Sequence, residues 1–85
     1  MKTIHTEHAP AAIGPYSQAI VSGGFVFTSG QIPVDPKSGE IAGADVTAQA
    51  EQVMANLRAV LEAAGTDFSR VVKATCFLAT MDDFA

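Results

Sequence analysis

QAIVSGGFVFTS, Gln18 to Ser29, is the stretch on which the fold turns. Two short runs rich in Ile, Val, Phe and Thr, residues 17–22 and 25–32, meet at Gly23-Gly24, and a two-glycine loop accepts the positive φ angles of a tight β-hairpin. The loop length also fixes the register. Ser22 faces Phe25, Val21 faces Val26, Ile20 faces Phe27 and Gln18 faces Ser29; if the ladder persists past Pro15, Tyr16 faces Gln31. Directly opposed residues share a face, so one face carries Ile20, Phe25 and Phe27 near the closed end. Gln18, Ser29, Gln31 and Tyr16 follow near the open end.

This gathering of a phenol, a hydroxyl and two amides offers donors and acceptors without a strong base, and it has no nucleophile beside a histidine. Such groups orient a ligand; they do not attack one. Gly30, next to Ser29 and without a β-carbon, lets a ligand or another chain approach the backbone. Strand ends are also polar simply because they approach solvent, and the spacing by itself leaves both readings open.

After Ile32, PVDPKSGEIAG carries two prolines and two glycines and reads as a loop with a turn at Asp35-Pro36. The period then changes to three and four through Val46, Ala50, Val53, Leu57, Val60, Leu61 and Ala64. This predicts an amphipathic helix over about 45–64, capped by Asp45 or Thr47 and ended at Gly65. VVKATCFLA predicts a strand over about 70–79, with Val72, Ala74, Cys76 and Leu78 on its apolar face and a mixed face that a subunit interface would cover. Thr80 followed by Asp82 and Asp83 has the chemistry of a helix start, placing the beginning of a second helix at 81–85. One turn is not stable alone, so these 85 residues read as the front portion of a longer domain.

The remaining features bound the function. A chain of 85 residues forms one small domain, and domains of this size bury only roughly 60–65% of their unfolded surface. With 48% hydrophobic and 16% charged residues the chain is globular, and no apolar run approaches the ~18 residues that cross a bilayer. The N-terminus is neither a secretory signal nor a transit peptide, and the single cysteine agrees with a reducing compartment, so a cytoplasmic location is expected. A net charge of -4 with five basic residues leaves no stripe for a phosphate backbone and argues against nucleic acid. His5 and His8 lack a third metal ligand, and Cys76 reads as a small buried hydrophobe. Arg58 and Arg70 have no evident partner in the polar patch.

GPYSQAI, then TSGQIPVDPKSGEI, then a Gln-rich helix ending in EAAG, then VVKATCFLATMDDFA, in that order, resemble the RidA family, also called YjgF or L-PSP. The resemblance implies an α+β, chorismate-mutase-like fold, a mixed sheet backed by two helices, with three copies around a central barrel and ligand clefts between subunits. It implies hydrolysis of reactive 2-imino acids to 2-oxo acids and ammonia, with no metal or organic cofactor. By position, Tyr16, Ser29 and Gly30 match residues lining that cleft. The family's carboxylate-binding arginine and water-positioning glutamate belong to a C-terminal segment that has no counterpart here, so no catalytic residue is assigned; Arg58 and Arg70 do not occupy the matching positions. Two further readings are a non-catalytic module binding 2-oxo acids and, from the family's older name, an endoribonuclease, which the acidic balance opposes.

Overall fold

The computed structural model describes residues 1–84; Ala85, the last position of the expected second helix, lies outside them. The element order is β1 (Lys2–Ile4), β2 (Ala19–Ser22), β3 (Phe25–Thr28) and α1 (Val46–Ala63), followed by 3-10 turns at Phe68–Arg70 and Met81–Asp83. The three strands form one sheet in the order β1-β2-β3, with antiparallel pairings throughout.

The hairpin register is the expected one: Ser22 pairs with Phe25, Val21 with Val26, Ile20 with Phe27. Gly23 and Gly24 take φ of 60° and 81°, the left-handed pair a two-residue turn requires. The paired strands are shorter than the expected 17–32. Beyond Ala19 and Thr28 the ladder continues only as the Ser29 N–H donating to the Gln18 carbonyl at 3.0 Å. β1, which the sequence pattern did not single out, pairs Lys2 with Val21 and Ile4 with Ala19, making β2 the central strand.

Asp45, not Thr47, caps α1: its Oδ1 accepts from the Ala48 N–H at 2.8 Å. At the other end Gly65, at φ 83°, donates its N–H to the Glu62 carbonyl, and the Thr66 N–H donates to Leu61, the paired bonds of a Schellman stop. The helix lays Val60 onto the sheet face formed by Ala19, Val21 and Val26. Ile4 and Ala9 complete a small core with Ala59 and Ala64 at its margin. Val46 and Ala50, expected on the buried stripe, are exposed, because the first turns of the helix run past the edge of this short sheet.

Two expectations need correction. Residues 70–79 form no strand: Val71 only closes the preceding 3-10 turn on Phe68, and the segment joins no ladder among the described residues. Val72 and Phe77 are 84% and 91% exposed, and Cys76 is exposed rather than buried. A period-two pattern specifies two faces but not a ladder partner; the outer edge of β3 stays unpaired in the sheet, and the segment does not bond to it. Over residues 81–84, the described part of the expected second helix, the structure has a short 3-10 turn, Met81–Asp83, with Thr80 Oγ1 accepting from the Asp82 N–H at 3.3 Å. The capping chemistry is present, but not an α-helix.

Candidate functional site

At the open end of the hairpin lies a cleft of about 380 Å³. Tyr16, Ser29, Gly30 and Gln31 line it together with Ile32 and Ile13, so the polar residues picked out by register do face one space. They arrive there by different routes. Tyr16 is not in the ladder; its N–H donates to the Gly14 carbonyl at 2.9 Å in a tight turn in which Gly14 has φ 109°, and its side chain is about half exposed. Ser29 follows β3 directly, and both its N–H and its hydroxyl donate to the Gln18 carbonyl, at 3.0 and 3.2 Å. That leaves the lone pairs of the Ser29 oxygen to accept from a ligand. A β-carbon built on Gly30 would meet nothing within 4 Å, so the space in front of its backbone is open.

The far wall comes from the segment 33–42, which is more ordered than a plain loop. Val34 bridges Ile41, the Asp35 N–H donates to Glu40, and the Ala42 N–H donates to Pro33. Asp35 Oδ1 accepts from the Lys37 N–H at 2.7 Å, an Asx turn that occupies one oxygen of the single carboxylate in the lining. Among the described residues that line the cleft there is no Lys, Arg or His. A second hollow, of about 570 Å³, follows the exposed face of α1 past Val46, Ala50, Met54 and Arg58. Thr47, Glu51 and Asp83 share its lining, and none of the residues placed in the polar patch lies in it.

Two residues that sequence reasoning undervalued have their polar groups buried beside the cleft. Gln18, placed in the polar patch as a ligand contact, is 2% exposed. Its Nε2 donates to the carbonyls of Pro10, Thr6 and Ala9 at 2.8, 3.0 and 3.3 Å, and its Oε1 accepts from the Thr6 N–H at 2.7 Å. It therefore has no donor left for a ligand. Asn56 is fully buried on α1; its Nδ2 donates to the carbonyls of Ile32 and Val34 at 3.1 and 3.0 Å, and its Oδ1 accepts from Gln52 Nε2 at 2.9 Å. The signal was an Asn on the helix's apolar stripe, three residues after Val53 and four before Val60. No group of His, Cys, Asp and Glu among the described residues is arranged to hold a metal ion, and no helix is long and apolar enough to cross a membrane.

Hairpin, backing helix and polar end-cleft define an α+β protein of the RidA/YjgF type. The chain belongs to the family described as Endoribonuclease L-PSP, which it matches over residues 6–85. It is 56% identical over 84 residues to a protein of Salmonella typhimurium named 2-iminobutanoate/2-iminopropanoate deaminase, covering 99% of this chain and 65% of that one. The crystal structure of the YjgF gene product of Escherichia coli superposes with a TM-score of 0.93 at 54% identity, covering 99% of this chain and 65% of that one. Escherichia coli TdcF, solved with bound serine, gives 0.75 at 51% identity over 80% of this chain and 53% of that one. The chain spans about two thirds of the length of the curated relatives it matches, 64–67% for four of them.

Proposed function

We propose that the protein containing this chain hydrolyses 2-imino acids to 2-oxo acids and ammonia. The observation that carries the reading is the convergence of Tyr16, Ser29 and Gly30 on one cleft, in a chain more than half identical to proteins named for that activity. The chemistry asks little of a catalyst. Water adds to the C=N carbon, the resulting carbinolamine expels its nitrogen as ammonia, and the carbon becomes a carbonyl. Such a reaction gains from orientation and from donors aimed at the developing charge more than from a covalent nucleophile.

In this reading the substrate lies against Gly30, with the Ser29 and Tyr16 oxygens fixing the orientation of its imine and carboxylate. Among the described residues the cleft lining supplies no cation. The carboxylate then needs a guanidinium from outside residues 1–85, worth about 1.5–3 kcal/mol as a charge-assisted hydrogen bond. Ile20, Phe25 and Phe27 on the sheet face away from α1 favour assembly: Phe25 and Phe27 are 56% and 62% exposed with ring centroids 6.3 Å apart. Three copies of the full-length protein, packed through this face, would form the trimer and close the cleft between subunits. The reading places the protein in the cytoplasm, acting without metal or organic cofactor and without a nucleic-acid partner. The net charge of -4 weighs against the nuclease activity in the family's description.

The test is ammonia release by the full-length protein coupled to a threonine dehydratase. Release faster than buffer, and slowed by Ser29→Ala, is expected. Full-length protein no faster than buffer refutes the proposal, and tight 2-oxobutanoate binding without acceleration identifies a non-catalytic binding module instead.

A further inference from the structure

Gln18 and Asn56 are the two buried polar side chains of the core. Each gives its amide hydrogens to backbone carbonyls, and each set of carbonyls belongs to a different wall of the same cleft. Gln18 holds residues 6–10, which lead into Pro10 and Ala11 at the rim, and its own carbonyl takes both donors of Ser29. Asn56 holds Ile32 and Val34, which also line the cleft. A backbone segment outside a regular ladder has few ways of fixing its position. Here two irregular segments are each tied by a carboxamide that donates to two or three of the segment's carbonyls.

We propose that Gln18 and Asn56 are positioning residues: two buried carboxamide clamps that set the separation of the cleft walls and thereby the placement of Ser29 and Gly30 against a bound 2-oxo or 2-imino acid. The proposal rests on the ligand class given above, but its geometry is independent of it. Neither side chain has an amide hydrogen left for the ligand, because all are given to backbone carbonyls. Both act by removing the freedom of wall segments that would otherwise have to be ordered on binding, a cost that weakens affinity directly. A residue needed only for stability would alter the fraction of protein folded and leave the affinity of the folded fraction unchanged.

The experiment uses the full-length protein and 2-oxobutanoate as probe. Gln18→Glu keeps the acceptor for the Thr6 N–H and the volume of the side chain while turning an oxygen toward the three carbonyls. Asn56→Asp does the same at the second clamp and serves should Gln18→Glu fail to fold. Val60→Ala, which destabilises the core without touching the cleft, is the control. At a temperature where each variant is fully folded, we expect the Kd of the clamp variant to rise at least tenfold, the Val60→Ala Kd to stay within twofold of the parent, and the Ser29 and Gly30 amide resonances to move only in the clamp variant. A folded clamp variant whose Kd stays within twofold overturns the proposal. Should the parent itself not bind 2-oxobutanoate, the ligand reading fails and the amide resonances decide: unmoved Ser29 and Gly30 signals overturn the clamps, and shifted ones uphold them.

Discussion

Truncating Asn56 to alanine removes the donor that holds the Ile32 and Val34 carbonyls at 3.1 and 3.0 Å. Gln52, the third partner, is only half-buried and can turn to water, so its loss counts for little. The two carbonyls are worth about 1–1.5 kcal/mol each as net hydrogen bonds, giving ~2–3 kcal/mol in favour of opening the 32–42 segment. At about 1.4 kcal/mol per tenfold, the opening constant rises roughly 30- to 150-fold. Amide hydrogen exchange reads this locally. The Asp35 N–H, bonded to Glu40, and the Ala42 N–H, bonded to Pro33, are the reporters; the Thr66 N–H, bonded to Leu61 at the helix stop, is the internal reference. Asn56→Ala is expected to accelerate the first two by that factor and to leave the third within threefold. Uniform acceleration of all three would mean that Asn56 merely stabilises the whole domain, and acceleration below threefold at Asp35 and Ala42 would refute the reasoning outright.

If the full-length protein assembles as the trimer proposed above, Phe27→Asp, on the exposed sheet face, should reduce it to monomer in sedimentation while hairpin amide protection persists; a trimer unchanged by the substitution would count against that face as the interface. Gly43→Ala should cost about 1–3 kcal/mol more in urea unfolding than Gly39→Ala. Both glycines have φ of 74°, but a β-carbon at Gly43 collides with the Ala48 methyl whereas one at Gly39 meets open space; equal losses would contradict this. Asp67 accepts from the Ser69 hydroxyl and N–H, with Arg70 nearby, and these hold its carboxyl below the ordinary 3.8. A depressed folded value means that the Asp67 contribution is present above 3.8 and lost as pH falls through the lower folded midpoint; a carboxyl titration by NMR centred at or above 3.8 would disprove it.

How far residues alone could lead depended on whether the determinant was local. Gly23-Gly24 fixes the hairpin register by turn geometry within four residues, and Asp45, Val60 and Gly65 mark α1 through period and caps; these features are written where they act. β1 is not, because three residues are too short to establish an alternation, and their pairing to β2 is decided fifteen or more positions away. Residues 71–79 show the opposite failure, a clear two-face pattern whose ladder partner the pattern cannot name. The cleft divides the same way. Tyr16, Ser29 and Gly30 follow from register and resemblance and do share one space. Gln18 was misplaced because register put its side chain on the outer face, and nothing nearby revealed that residues 6–10 cross over it and consume its amide. Asn56 drew no reading from the helix pattern, although a polar residue at a core position is itself a sign that backbone elsewhere needs a partner.

The order of the sheet and helix along the chain has a consequence during synthesis. The sheet is complete at Thr28, whereas Val60, which covers the Ala19, Val21 and Val26 face, lies 32 residues later. At ribosomal speeds of about 5–20 residues per second, the hairpin and the Gln18 clamp wait roughly 2–6 s before their cover leaves the exit tunnel. A nascent sheet in that interval presents apolar surface on both faces, which makes it a substrate for ribosome-associated chaperones until α1 arrives.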